Sequence, residues 1–298
     1  DQVIGELCDS GFLPSFCTGC YRLGRTGEHF MEFAVPGFVK RFCTPNAVLT
    51  LTEYLIDYAS PETRAKGLAA VRRELDAISD YLFTAGMVAN RNLNQEGMIP
   101  EYIHYVGNIL IDTVRYNRHR LLQPVWFSTM GLKGHGYLLL TLNRHELLNK
   151  KNVLKSLIQT LVDKSGGMPI IAPLHPYVQK AIKVLEIPAP NLHILPPQSY
   201  LHFGYLINHA KGIITDSGNI AEEATFLDVP CITLNSYAEH PETWRVGTNE
   251  LVNEDPVAFA AVLETLMHGE WKHTTLPDRW DGRTAERIVQ TLINGELK

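Results

Sequence analysis

Short apolar runs alternate with amphipathic segments from residue 80 to the C-terminus. The runs have the length of strands, and the segments between them place apolar residues at helical spacing. The predicted strands are Tyr81–Phe83, Tyr137–Leu142, Pro169–Pro173, His193–Leu195, Gly212–Thr215 and Cys231–Leu234. The predicted helices are Asn108–Tyr116, Asn152–Asp163, Tyr177–Leu185, Ser199–Ala210, Asn219–Leu227 and Pro256–His268. This rhythm predicts an α/β fold, a parallel sheet covered by helices on both faces.

The first 75 residues have a different pattern and show no strand-like alternation. They predict loops and helices, with an apolar stretch over residues 30–42 that Pro36 and Gly37 interrupt, and helices over 49–59 and 61–78. We therefore predict two parts, an N-terminal appendage over residues 1–75 and an α/β domain over residues 76–298.

Composition narrows the class of protein. The 298 residues are 45% hydrophobic and carry a formal net charge of -5, without an apolar run near the roughly 20 residues needed to cross a bilayer. We therefore expect no membrane insertion and no general affinity for nucleic acid. Five cysteines, an odd number, favour reduced thiols and a cytoplasmic location.

The turn over residues 216–219 is the most informative local feature. The strand at Gly212–Thr215 runs through this turn into a helix, so uncovered backbone N–H groups and the positive end of the helix dipole meet there. Such a turn is a site for phosphate, and Gly218 permits a close approach to the main chain. The alternative is an ordinary capped helix, because Asn219 and Glu222 have capping-box spacing.

Five motifs occur in order along the chain, at Val106–Thr113, Leu174–Pro176, Asp216–Ala224, Ala238–Glu242 and Gly247–Val252. Together they resemble the C-terminal domain of the non-hydrolysing UDP-N-acetylglucosamine 2-epimerases. The resemblance runs from about Asp76 to the C-terminus. It implies a Rossmann-like domain, one lobe of a GT-B-type fold, that binds a UDP-sugar without a cofactor.

The resemblance also implies a role for each matched position. The uracil would be framed by Gln198 and Phe203, and the ribose hydroxyls would be held by Glu223. The diphosphate would lie against the turn formed by Ser217, Gly218 and Asn219, with His240 opposite.

Several positions depart from the family pattern. The family's His-Arg-x-Glu motif aligns with Asn143–Glu146, and Asn143 cannot transfer a proton. His145 follows two residues later, so strand alternation would place it on the same face. A family glycine is replaced by Asn219 and a family arginine by His240, which is only partly charged near neutral pH. We therefore expect weakened diphosphate affinity.

The histidines have no tight ligand spacing, so we expect no zinc site. His175 is distinctive because it follows an apolar strand and precedes a proline. It either faces the ligand crevice or makes a structural hydrogen bond to the next loop. The catalytic candidates are thus Asn143, His145 and His175.

Residues 6–27, with a weaker continuation to about Glu74, resemble the C-terminal tail of HydG, the radical-SAM tyrosine lyase that matures [FeFe]-hydrogenase. By chemistry alone, the pair Cys17 and Cys20 fits a redox motif, half a zinc site or an iron-sulfur ligand pair. The resemblance implies a [4Fe-4S] cluster. The barrel motif CxxxCxxC does not occur, so we expect no radical chemistry from this chain.

Taken together, these features predict UDP binding without epimerase turnover. In the family, the catalytic carboxylates belong to an N-terminal lobe, and here the HydG-like tail precedes the C-terminal domain instead. We expect either a homodimer or a separate partner that supplies that lobe. The alternative function is a cluster-binding HydG-type fragment. We further expect that Asp1 is not the true N-terminus.

Overall fold

The computed structural model describes residue 76 and residues 79–235, 237, 238 and 240–296. The described residues fall into two compact units. The smaller includes residues 79–82 and 93–104, and the larger includes residues 83–92 and 105–296. The predicted appendage over residues 1–75, with Cys17 and Cys20, lies outside the described residues.

A six-stranded parallel sheet forms the centre of the larger unit. Its order is β5-β4-β3-β6-β7-β8, with every neighbouring pair parallel. The strands are β3 (Leu138–Thr141), β4 (Ile170–Pro173), β5 (Leu192–Leu195), β6 (Gly212–Thr215), β7 (Cys231–Thr233) and β8 (Asn249–Leu251). The prediction of an α/β fold with a parallel sheet is confirmed.

Eleven α-helices are described. They are α1 (Met87–Gln95), α2 (Ile109–Asn117), α3 (Val125–Thr129), α4 (His145–Asn149), α5 (Lys151–Lys164), α6 (Pro176–Lys183), α7 (Tyr200–His209), α8 (Gly218–Phe226), α9 (Glu242–Arg245), α10 (Pro256–His268) and α11 (Thr284–Glu296). Single turns of 3-10 helix occur at Pro100–Tyr102 and Arg118–Arg120.

The first predicted strand lies outside the parallel sheet. β1 (Leu82–Thr84) instead forms a separate two-stranded sheet with β2 (Ile103–Tyr105). A three-residue apolar run carries no information about its pairing partner, so the sequence could not distinguish the two sheets.

Both faces of the parallel sheet are buried, as the alternation along the strands requires. In β3, Leu138 and Leu140 pack into one core, whereas Leu139 points into the other. In β6, Ile213 and Ile214 divide in the same way. The first core includes residues of α5, α6 and α10, and the second includes residues of α3, α7 and α8.

The sheet directs its functional loops to one edge. Because all six strands are parallel, the residues that follow β3, β4, β6 and β7 emerge at their common carboxyl edge, where ligands of such sheets bind. The segments 142–144, 174–176 and 216–219 and the described residues 234, 235, 237, 238 and 240 therefore lie along the same edge, although up to about 100 residues separate them along the chain.

A C-terminal segment is anchored by a buried tryptophan. Trp280 is fully buried, and its Nε1–H donates to the carbonyl of Ala85 at 3.0 Å. Near it, Gly107 has a φ of 101°, and a Cβ there would collide with the carbonyl oxygen of Arg279. The Asp112 carboxylate accepts from the first amides of α11 at 3.0 and 2.7 Å. The contacts of Gly107 and Asp112 fix the start of α2 against the C-terminal segment.

Candidate functional site

Asp216 joins the ends of β3 and β6. Its carboxylate is fully buried and accepts from the backbone N–H of Asn143 at 2.8 and 3.0 Å and of Arg144 at 2.8 Å. Its carbonyl accepts from Arg144 Nε at 2.7 Å and from Asn235 Nδ2 at 3.0 Å. The turn after β3 is thereby held against the turn after β6.

Burial raises the pKa of the Asp216 carboxyl group. The backbone bonds from Arg144 and Asn143, and the positive charge of Arg144, act in the opposite direction. The group is thus a desolvated acceptor of main-chain hydrogen bonds, and its role in the structure is to hold the two turns together.

The guanidinium of Arg144 lies at the entrance of the site. It is 4.9 Å from the centre of the Tyr237 ring, and Nη1 donates to the Tyr237 hydroxyl. Arg144 lines two adjoining cavities. A planar guanidinium held from two sides in this way is suited to an oxyanion.

Helix α8 begins at the same place without a side-chain cap. Ser217 is the N-cap, but its hydroxyl makes no capping bond. The first three amides of the helix, at residues 218–220, have no carbonyl partner within the helix. The alternative interpretation, a capping box formed by Asn219 and Glu222, is wrong, because the helix begins at Gly218 and Glu222 is used elsewhere.

An open cavity of about 200 Å³ lies in front of these amides. It is lined by Asn143, Arg144, Asp216, Ser217, Gly218 and Asn219. Pockets for drug-sized ligands occupy roughly 300–1,000 Å³, so this one fits part of such a ligand, for example a diphosphate. A second space of about 10 Å³, enough for about one water molecule, lies between Arg144, Gly218 and His240.

A buried carboxylate links the site to α2 and to the C-terminal segment. Glu222, on α8, accepts a hydrogen bond from Asn108 Nδ2 and lies 3.5 Å from His240 Nε2. The imidazole of His240 meets the ring of Trp280 edge-on, with centroids 5.9 Å apart. His240 is half-buried, so it contacts both this interior network and the cavity.

Glu223 is also buried and has an unusual titration. Burial and the neighbouring charge of Glu222 raise its pKa to about 7. The charge of Glu223 in turn helps burial to raise the pKa of the Tyr200 hydroxyl to about 12. The Glu223 carboxyl group therefore changes its protonation state near neutral pH. It can donate a hydrogen bond when protonated and only accepts when ionised.

The two candidate histidines flank a tyrosine that the sequence did not indicate. The Tyr177 ring is nearly parallel to His145, at 5.1 Å and 19°, and to His175, at 5.9 Å and 12°. The alternation argument for His145 is wrong, because β3 ends at Thr141 and His145 is the first residue of α4. His175, the exposed N-cap of α6, makes no capping bond.

The positions predicted to frame uracil lie around the start of α7. Gln198 accepts from Trp126 Nε1 at 3.3 Å and donates to the Pro196 carbonyl at 2.8 Å. Phe203 is partly buried and packs against the second core. Trp126 thus orients the amide of Gln198.

Comparison with known proteins identifies the family. A family model described as UDP-N-acetylglucosamine 2-epimerase matches residues 69–293, about three quarters of the chain. The chain belongs to the UDP-N-acetylglucosamine 2-epimerase family. Two similar relatives carry the same description. The one from Methanocaldococcus jannaschii is 32% identical over 234 residues, and the one from Methanococcus maripaludis is 33% identical over 233 residues.

The matched regions cover 74% and 75% of the chain. They span 63% of the length of each of these two relatives. Among solved structures, the M. jannaschii UDP-GlcNAc 2-epimerase in complex with UDP-GlcNAc and UDP has a TM-score of 0.66 at 28% identity. That likeness covers 83% of this chain and 72% of the other. It shows that the parallel-sheet domain has the fold of a GT-B-like lobe.

Within this epimerase-family domain, the fold brings most predicted site residues to the carboxyl edge of the sheet. Ser217, Gly218, Asn219 and Asn143 line one cavity. His240 lines the adjoining cavity. Glu223 is buried on α8, and His145 and His175 stack on Tyr177 outside the cavity.

Sequence reasoning missed Arg144, Tyr177 and Trp126 as candidates. Arg144 had a signal, since it matches the arginine of the His-Arg-x-Glu motif. The other two act through tertiary contacts that local patterns do not contain.

Across the described residues, no cluster of three or more His, Cys, Asp or Glu side chains is arranged to hold a metal ion. No helix in that part of the chain is long and apolar enough to cross a membrane.

Proposed function

We propose that this domain binds the UDP moiety of a UDP-sugar at the carboxyl edge of β3 and β6. The observation that carries the proposal is the uncapped start of α8, which faces a cavity that Arg144 also lines. Backbone amides, a helix dipole and a guanidinium then converge on one anion.

The residue roles in this proposal follow the family resemblance. The diphosphate lies against Ser217, Gly218 and Asn219, with His240 beside it. Arg144 is added because it lines the same cavity. Glu223 serves the ribose, and Gln198 and Phe203 serve the uracil. The structure of the M. jannaschii relative, which holds UDP-GlcNAc and UDP, supports a ligand of this class.

We test the proposal by calorimetric titration of UDP and UDP-N-acetylglucosamine into the purified chain. Ser217→Ala and Glu223→Gln should each weaken saturable binding, and Ser156→Ala, at an exposed position on α5, should leave it unchanged. If a folded protein fails to bind UDP at millimolar concentration, the proposal is wrong.

The proposal for this chain covers binding and not the family's reaction. In intact relatives, UDP is lost by anti elimination after proton removal at the second carbon of the sugar, and it re-adds on the other face. Candidate catalytic groups here are Asn143, His145 and His175. The cytoplasmic location, a homodimer and a lobe-supplying partner stay predictions.

The alternative function depends on Cys17 and Cys20, which lie outside the described residues. The family match begins at residue 69 and does not reach them. The relatives above give the HydG resemblance no support, so the [4Fe-4S] cluster stays an untested prediction. Anaerobic reconstitution of the wild type and of a double Cys→Ser variant would decide it by brown absorbance.

A further inference from the structure

The side chain of Asn143 is held from outside the cavity by Tyr177. The Tyr177 hydroxyl lies 3.1 Å from the main-chain oxygen of Asn143 and donates to its side-chain oxygen, Oδ1. The contact follows from the fold, because β3 and β4 are hydrogen-bonded neighbours and the two residues come shortly after these strands.

The Tyr177 ring is itself constrained. It lies nearly parallel to the imidazoles of His145 and His175, which come from α4 and from the start of α6. Its hydroxyl is therefore presented to Asn143 from a fixed direction, although the residue is 40% exposed.

The chemistry of the amide fixes what the other end of Asn143 does. A tyrosine hydroxyl has one proton to donate, and a carboxamide has an oxygen that accepts and an NH₂ group that donates. With Oδ1 turned toward Tyr177, the NH₂ group is turned away from it. The main chain of Asn143 cannot rotate to compensate, since its N–H is bound by both carboxylate oxygens of Asp216.

We infer that Tyr177 is a positioning residue that directs the NH₂ group of Asn143 into the cavity, where it donates to an oxygen of the bound ligand. This inference rests on the proposed function. It gives Asn143 a binding role in place of proton transfer. The accepting oxygen belongs either to the diphosphate or to the sugar.

A double-mutant cycle tests the coupling. UDP and UDP-N-acetylglucosamine are titrated into the wild type, Asn143→Ala, Tyr177→Phe and the double variant. The matched control is Tyr116→Phe, at an exposed position of α2. Loss of one neutral hydrogen bond should weaken binding about 5-fold in Asn143→Ala. Tyr177→Phe should lose no more than that, and the double variant should bind like Asn143→Ala.

The two ligands identify the oxygen. Equal weakening toward both ligands assigns it to the diphosphate, whereas weakening toward UDP-N-acetylglucosamine alone assigns it to the sugar. Any one of three outcomes would overturn the inference. The losses of affinity in the two single variants could be additive in the double variant. Tyr177→Phe could bind like the wild type while Asn143→Ala binds more weakly, or Asn143→Ala could change the affinity for neither ligand.

A second measurement needs no ligand. In ¹H–¹⁵N spectra, the side-chain amide of Asn143, assigned through Asn143→Ala, should shift in Tyr177→Phe and stay in place in Tyr116→Phe. An unshifted amide overturns the inference even when UDP binds. A shifted amide in a chain that binds neither ligand supports the Tyr177 contact, while the proposed function and the ligand role of Asn143 both fail.

Discussion

Two consecutive glutamates on α8 have different environments, although both are buried. Glu222 is hydrogen-bonded by Asn108 and lies beside His240. Glu223 carries a pKa raised to about 7 by burial and by the Glu222 charge. The folded protein therefore takes up a proton at Glu223 in a pH range where the unfolded chain does not.

This difference predicts a pH dependence of stability. Between pH 4.5 and about 7, Glu223 binds more protons in the folded state than in the unfolded state, so its contribution to the free energy of unfolding falls as pH rises. Glu223→Gln removes that fall. Between pH 4.5 and pH 8, the free energy of unfolding of the variant should rise by up to about 3 kcal/mol relative to that of the wild type, as measured by urea denaturation. Equal pH slopes for wild type and Glu223→Gln, with Glu270→Gln as exposed control, would contradict this.

In the proposed function, His240 lies beside the diphosphate, so we expect it to determine part of the affinity for this anion. An imidazole near neutral pH carries only part of a positive charge, whereas a guanidinium is always charged. His240→Arg should therefore tighten UDP binding about 5-fold, the effect of about 1 kcal/mol, at pH 7.5 by calorimetry. His119→Arg, on the exposed 3-10 turn, adds the same charge away from the site and should change nothing. Similar gains in both variants would mean that general electrostatics is responsible.

At the scale of elements, the start of α2 and the C-terminal segment support the site together. Gly107 precedes Asn108, which contacts Glu222, and Arg279 precedes Trp280, which contacts His240. The two segments meet where a Cβ at residue 107 would collide with the Arg279 carbonyl.

Gly107→Ala should consequently disturb both segments, the start of α2 and the C-terminal segment. The positive φ and the collision should together lower the free energy of unfolding by about 2–4 kcal/mol and weaken UDP binding. Gly269→Ala is the matched control, since Gly269 also has a positive φ, of 78°, but open space around it. In Gly269→Ala the free energy of unfolding should fall by about 1 kcal/mol, and the affinity for UDP should stay unchanged. Equal losses in the two variants, by chemical denaturation, would show that only the backbone conformation matters.

Local patterns predicted the sheet well because its strands are short and buried on both faces. The bounds of β6 and of α10 agree with the prediction. The bounds of β3, β4, β5 and β7 lie within a residue or two of the predicted bounds. β8 and α4 were not predicted, since three and five residues are too few to show a period. The start of α8 was wrong by one residue, because the sequence offers a cap at Asn219 that the tertiary structure does not use.

The candidate site was only half predictable for a related reason. Ser217, Gly218 and Asn219 belong to one local turn, and the family motif spans their three positions, although Asn219 replaces its glycine. The bond between Asp216 and the Asn143 backbone spans 73 residues, and that between Asn108 and Glu222 spans 114. Pairings of this length are decided by the strand order and leave no trace in a local window.

At the scale of the whole molecule, binding and turnover should separate. Residues 1–298 should bind UDP-N-acetylglucosamine and produce no UDP-N-acetylmannosamine, because a carboxamide stands at the position of the family's histidine. Incubation followed by nuclear magnetic resonance of the sugar signals checks this, with a complete family enzyme as positive control. Any UDP-N-acetylmannosamine formed in proportion to the protein would refute it.

The pairing of β3 with β6 has a consequence for when the proposed ligand site can form. Roughly 70 residues separate the two strands, and β4 and β5 are made between them before they meet. Closing a loop of this length costs conformational entropy, and folds rich in contacts of high sequence separation fold slowly. During synthesis, the cavity therefore has only one wall until β6 is inserted beside β3. A nucleotide bound as proposed would therefore stabilise the domain only once β6 lies beside β3.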